Sequence, residues 1–228
     1  MTFILPPLAP VGITIAGNTD LFPVARAFCI GRNYADHAIE MGGNPDREEP
    51  FFFSKPATAI IPGGGAIHYP TATQDLHHEV ELVVALGKGG SAIAETDALD
   101  HVFGYAVGID LTRRDLQAAA KKAGRPWDMA KGFDASGPVG TLTKVADAGH
   151  VDDAAITLTI NGEVRQSGNV NQMIWKTGEA VAFLSGLVEL KAGDIIFTGT
   201  PAGVGSVERG DTLHAEVAGL PTMSCTLT

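Results

Sequence analysis

HHEVELVVALG (residues 77–87) is the stretch from which the rest of the chain can be read. Val80, Leu82, Val83, Val84, Ala85 and Leu86 predict a strand running into a core. Glu79 and Glu81 lie two residues apart in its first half, a spacing that puts both carboxylates on one strand face, about 6–7 Å apart along the chain. Two like charges so placed repel. The ordinary alternative is a half-buried antiparallel strand with its polar face in water. Asp110 weighs against it, because it closes the strand-like YAVGID (105–110) just before a helix start, where side chains often point into a site. Three carboxylates brought together need a cation between them. An all-oxygen set suits Mg2+, Mn2+ or Ca2+. His77 shares the predicted face, so a histidine-containing site for a softer metal stays open.

Outward from this strand, glycine and proline punctuate the chain at 61–65, 87–90, 136–138 and 199–205. Short strands are expected at 28–32, 80–87, 105–110, 156–162 and 194–199, with a hairpin turning at Asn161-Gly162. Helices are expected at 33–41, 112–123 and 175–186. The second carries Thr112 and Asp115 at capping-box spacing and stops at Gly124 before Pro126. Strands and long helices do not alternate regularly, which argues against a doubly wound parallel sheet. The organisation expected is one β-rich α+β catalytic domain over 24–228, preceded by a short, proline-broken segment at 1–23.

A net charge of −10 argues against a nucleic-acid partner, which would need a basic face. Two cysteines, Cys29 and Cys225, make neither a disulfide framework nor a metal clip. The opening MTFILPPLAP lacks a basic flank and is broken by prolines, and no apolar run is long enough to span a bilayer. A cytoplasmic location with no membrane partner is the expectation.

Four further features carry chemistry. In GRNYADHAIEM, His37 and Glu40 are three apart on a predicted helix and therefore neighbours. A carboxylate beside an imidazole raises its basicity and fixes its tautomer, which suits a general base; a surface pair is the plain alternative. Lys131, among small and apolar residues, is placed to polarise a carbonyl or oxyanion, or else to snorkel from a loop. Arg113 and Arg114 sit early in a helix, where the dipole disfavours them, so an anionic ligand nearby is expected. FTGTPAGVG (197–205) offers exposed backbone amides around Thr200 but no phosphate-binding glycine motif.

Taken in order, GRNYADH, FFFSKP, HHEVELVV, GYAVGIDLTRRD, AKGFDASGPVG, NGEVRQ, MIW and GDIIFTGTPAGVG resemble the fumarylacetoacetate hydrolase family over about residues 24–220. EMGGNPDREEPFFFSKP is similar to members acting on fumarylpyruvate and other acylpyruvates. The resemblance implies a mixed β-sandwich roll, often assembled as a homodimer. It implies that Glu79, Glu81 and Asp110 hold Mg2+ or Mn2+, that His37 and Glu40 activate water, and that Lys131 stabilises an oxyanion. Arg114, Gln117 and Thr200 fall on pocket positions, and Arg32 and Tyr34 on a motif near them. Val170 and Trp175 depart from the threonine and phenylalanine that many members carry. The reaction implied is hydrolysis of the carbon–carbon bond of a 2,4-diketo acid, fumarylpyruvate giving fumarate and pyruvate in gentisate breakdown. Acylpyruvase action, oxaloacetate decarboxylation and isomerisation of an unsaturated keto-diacid share the enolate chemistry. A non-catalytic, metal-dependent keto-acid binder is the rival of another class. Decarboxylation and isomerisation need no activated water, so the presence of both His37 and Glu40 favours hydrolysis. GGNPDREE (42–49) reads as a lid whose one cation, Arg47, meets the substrate's far carboxylate, the alternative being an arginine paired with Glu48 or Glu49.

Overall fold

A computed structural model of the chain describes residues 3–40 and 47–228. The stretch 77–87 does not form one strand in it. Leu76–His78 belongs to a three-stranded sheet with Thr112–Arg113 and Gly205–Val207, whereas Val80–Leu86 lies in the largest sheet. The chain passes from one sheet to the other at Glu79.

All seven residues of Val80–Leu86 are buried. Val80, Leu82, Val84 and Leu86 enter one hydrophobic core, and Val83 and Ala85 enter another on the opposite face. The strand is covered on both faces and has no wetted side, and its one charged residue, Glu81, is buried with the rest. In its sheet the order is Phe51–Lys55, Arg26–Gly31, Asp194–Phe197, Val80–Leu86, Val102–Ile109, Gly137–Val139 and Ile60–Pro62. Two of the pairings, Asp194–Phe197 with Arg26–Gly31 and Gly137–Val139 with Ile60–Pro62, are parallel and the others antiparallel, so the sheet is mixed.

A five-stranded sheet closes over the first core with Ile156, Leu158, Leu213, Ala215 and Val217. It includes the hairpin Ala155–Ile160/Glu163–Asn169. Asn161 and Gly162 both take positive φ, 52° and 85°, the geometry a two-residue hairpin turn demands. The second core is completed by the N-terminal hairpin Val11–Thr14/Leu21–Val24, which contributes Ile13, Phe22 and Val24.

The helices are Ala35–Glu40, Arg114–Ala123 and Thr177–Leu187, with shorter turns elsewhere. The expected capping box at Thr112 is absent. Thr112 is a strand residue whose hydroxyl bonds the Asp110 carbonyl at 3.3 Å, and the N-cap is Arg113, without a side-chain cap. Asp115 instead accepts bonds from the Thr73 hydroxyl at 2.6 Å and the Gln74 amide at 3.0 Å, pinning the loop that leads into Leu76–His78. Gly124 does end the helix in the left-handed region, at φ 61°. Both cysteines are free and buried. Among the described residues no helix is long and apolar enough to cross a membrane.

Candidate active site

The carboxylates meet because of the sheet crossing at Glu79. The Asp110 amide donates to the Glu79 carbonyl at 2.8 Å, so these two residues face each other across neighbouring strands, and Glu81 lies opposite Gly108. Glu79, Glu81 and Asp110 each offer an oxygen within 4.8 Å of the others, and all three are buried. His77 stands outside this group. Its Nε2 is 2.9 Å from Asp75 and its Nδ1 accepts from Arg114 Nε at 3.3 Å, which removes it from the ligand set.

Three cations approach the acids from distant parts of the chain. Lys131 Nζ, in the short helix Asp128–Lys131, donates to Glu79 at 2.8 Å and Asp110 at 2.7 Å. Arg114 donates to Glu79 at 2.5 Å and to Gln117 at 2.7 Å. Lys55 Nζ lies 2.8 Å from the other Asp110 oxygen, an ion contact without hydrogen-bond alignment, and donates to Ser136 Oγ at 2.9 Å and to the Lys131 carbonyl. Glu81 has no cationic side chain on it among the described residues; the Gly199 amide, at 2.6 Å, is its hydrogen-bond donor.

The titration behaviour follows this asymmetry. Burial opposes ionisation of Glu79, but the charges of Lys131 and Arg114 outweigh it and hold the carboxyl well below the usual range. Burial, reinforced by the Asp110 and Glu79 charges, pushes Glu81 well above it. Burial works against the Lys131 ammonium, and Asp110 and Glu79 more than restore it. The set fits a divalent cation: three hard oxygen donors converge, and the one without a cationic partner is the one its neighbours' charges destabilise.

His37 and Glu40 lie beside this cluster. His37 Nδ1 is 3.1 Å from Glu40, and the Gly203 amide donates to the Glu40 carboxylate at 3.1 and 3.3 Å, tying the helix Ala35–Glu40 to the 199–205 loop. The amides around Thr200 are therefore not exposed as expected. Those of Gly199 and Gly203 serve Glu81 and Glu40, and Thr200 itself is buried, its hydroxyl accepting from Gln166 Nε2 at 2.8 Å.

One open cleft brings together His37, Glu79, Glu81, Lys131, Arg114 and Gln117, with Arg32 and Thr200 also on its wall. Tyr34 is not on that wall. It is buried beside a separate hollow with Asp36, Gln172 and Pro201. Arg47 is engaged elsewhere, 2.5 Å from Glu179 and with its guanidinium 4.2 Å from the Trp175 ring centroid, rather than on Glu48 or Glu49. Residues 41–46, most of the expected lid, lie outside the described residues. Sequence reasoning offered Lys55 only as a fallback partner for the substrate's far carboxylate and missed its place on Asp110, and it missed Lys121 and the wall formed by Phe51, Phe53 and Trp127. The available signals were a lysine ending an aromatic strand, and Lys121 standing seven residues after Arg114 on one helix.

Buried acids converging beside a histidine–carboxylate pair, with lysine and arginine at the same cavity, define a site suited to metal-assisted chemistry on an anion. The chain belongs to the fumarylacetoacetate hydrolase family: the family described as fumarylacetoacetate (FAA) hydrolase C-terminal matches residues 26–228. It is similar to the fumarylpyruvate hydrolase of Pseudomonas aeruginosa, solved with Mn2+ and pyruvate, at 48% identity and a TM-score of 0.98, covering 100% of this chain and 99% of that one. It is also 43% identical over 196 residues to the mitochondrial oxaloacetate tautomerase FAHD1 of Homo sapiens, spanning 86% of this chain and 88% of that protein. The 5-carboxymethyl-2-hydroxymuconate delta-isomerase of Mycobacterium smegmatis is 34% identical with a TM-score of 0.80, over 92% of this chain and 82% of that one.

Proposed function

We propose that the protein hydrolyses the carbon–carbon bond of a 2,4-diketo acid, with fumarylpyruvate, an intermediate of gentisate breakdown, as substrate. The observation that carries this reading is the His37–Glu40 pair at 3.1 Å, with His37 on the cavity wall shared by Glu79, Glu81 and Lys131. Similarity to the Pseudomonas aeruginosa enzyme supports the choice of substrate.

Glu79, Glu81 and Asp110 would hold Mg2+ or Mn2+, whose chemistry when bound is Lewis-acid stabilisation of negative charge on the 2-oxo acid end of the substrate. Glu40, as the acceptor, keeps the proton on His37 Nδ1 and leaves Nε2 as the base. Nε2 takes a proton from water, and the water oxygen bonds to the 4-carbonyl carbon. Lys131 spends two N–H donors on Glu79 and Asp110, so its third is available to the oxyanion. The bond between the third and fourth carbons then breaks. Its electron pair leaves as the enolate of pyruvate, which takes up a proton, and the acyl part leaves as fumarate.

Oxaloacetate tautomerisation is the second reading, favoured by the likeness to the human tautomerase. It requires proton transfer at carbon and no attacking water. The test is His37→Ala in Mn2+-loaded enzyme, followed by loss of the diketo absorbance. Hydrolysis of fumarylpyruvate should fall by about 10²–10⁴-fold, the usual worth of a general base. Oxaloacetate tautomerisation should fall less; equal losses would replace water activation with a proton-shuttle role. A homodimer belongs to the same proposal, supported by the exposed apolar Phe3, Ile4, Leu5 and Leu8 at the N-terminus, and sedimentation velocity tests it.

A further inference from the structure

The chain as a whole is strongly acidic, at −10, yet the cavity wall carries four cations, Arg32, Arg114, Lys121 and Lys131, against two acids, Glu79 and Glu81. The inner two are committed: Arg114 to Glu79 and Lys131 to Glu79 and Asp110. Among the described residues, no carboxylate comes within ion-pair distance of Arg32 or Lys121. Two surplus positive charges thus stand together at one wall of an otherwise neutralised site.

Aromatic rings hold them there. Lys121 Nζ is 5.1 Å from the Trp127 ring centroid, and the Arg32 guanidinium is 5.9 Å from that of Phe51. Those two rings meet edge to face with centroids 5.3 Å apart, so the cations flank a single aromatic rim. Arg32 also takes a left-handed backbone, φ 57°, a conformation unfavourable for a non-glycine residue that recurs at ligand-binding positions. Burial, and then the charges of Arg32 and Arg114, depress the Lys121 ammonium, as expected for a cation in a positive field.

Helix geometry supplies a ruler. Arg114, Gln117 and Lys121 follow i, i+3, i+7 on Arg114–Ala123 and all reach the cavity, so one helix face runs outward from the acids. Seven residues advance about 10.5 Å along the axis. An extended chain gains about 1.2 Å per bond. A seven-carbon diacid therefore separates its carboxyl carbons by about 7 Å, leaving about 3 Å for contact with a cation, whereas four-carbon oxaloacetate spans about 3.5 Å.

We propose that Lys121 and Arg32 form a second anion subsite that receives the distal carboxylate of a long dicarboxylic 2-oxo acid, whose 2-oxo acid end lies at the carboxylate cluster. The inference rests on the reading of the cavity as an acylpyruvate site and names the class of acyl group. Arg47, engaged by Glu179 and Trp175, is not on this wall.

The test compares 2-oxoheptanedioate with 2-oxoheptanoate, which differ only in the terminal carboxylate and lack the 4-carbonyl needed for cleavage. Calorimetric binding to the Mn2+-loaded protein should favour the diacid by about tenfold or more. Lys121→Met should bring the two affinities to within about threefold, and Lys121→Arg should restore most of the preference. A preference that is absent in the wild type, or unchanged in Lys121→Met, overturns the subsite. Separate assay of fumarylpyruvate distinguishes the two claims. Turnover without a diacid preference leaves the hydrolase reading standing and removes the subsite; the preference without turnover does the reverse.

Discussion

Replacing Lys55 by methionine tests the electrostatic account of the acid cluster directly. Lys55 is 1% exposed, and its ammonium faces Asp110, Ser136 and the Lys131 carbonyl. Methionine occupies a similar volume, so the change deletes a charge without opening a large cavity. Removing one partner of a buried ion pair typically costs about 3–5 kcal/mol. Here Asp110 keeps Lys131 at 2.7 Å, and the Lys131 carbonyl keeps the Ser136 hydroxyl at 2.9 Å. The lower end, about 3 kcal/mol, is therefore expected in metal-free protein. For a domain of this size that is a fall in Tm of about 6–12 °C. Without Lys55 the three carboxylates face one cation fewer, so Mn2+ should bind more tightly and raise the variant's Tm by more than the wild type's. Urea and thermal unfolding, each with chelator and with saturating Mn2+, read both effects. A metal-free loss below about 1 kcal/mol would show that Lys55 does not neutralise Asp110. Equal Mn2+ shifts would refute the charge balance drawn around the cluster.

Other consequences are open to direct measurement. Gln166 is fully buried and bonds His78, the Val80 amide, Thr200 and the Pro201 carbonyl, so Gln166→Leu should cost at least about 3 kcal/mol by urea unfolding; a change under about 1 kcal/mol would deny it a structural role. Burial pushes the Cys225 thiol up to about 12, and burial with the Asp110 charge raises Cys29 well above its ordinary value, so neither should react with Ellman's reagent in native protein at mildly alkaline pH. Both should titrate in denaturant, and rapid native labelling would contradict their burial. Glu81→Ala should abolish Mn2+ retention after dialysis, measured by elemental analysis, while circular dichroism stays native. Undiminished metal content in that variant would remove Glu81 from the ligand set.

Much of this protein is local enough to be written in its residue order. The apolar residues between 80 and 86 declare a strand running into a core, Asn161-Gly162 declares a hairpin, and Gly124 declares a helix end, whereas burial of that strand on both faces came only with the packed sheets. The identity of the acids was legible too, but not the reason they meet. Equal spacing on one strand predicted a shared face for Glu79 and Glu81. The cluster arises instead where the chain changes sheets at Glu79 and Asp110 comes opposite it.

The same holds for Thr112 and Asp115, whose spacing fits a cap while their hydrogen bonds go to Asp110 and to the loop at Thr73 and Gln74. Periodicity reports which way a side chain points relative to its own backbone. It carries no information on which other element stands there. Lys131 meets Glu79 from 52 residues away, and Lys55 meets the Lys131 carbonyl from 76 residues away. Such contacts follow from how whole sheets and helices pack, because burying several charges in one place is tolerable only when every partner arrives together. Residue order therefore determined the elements and the kinds of chemistry available, and tertiary packing decided which charges neutralise one another and which two, Arg32 and Lys121, stand without a protein counter-charge among the described residues.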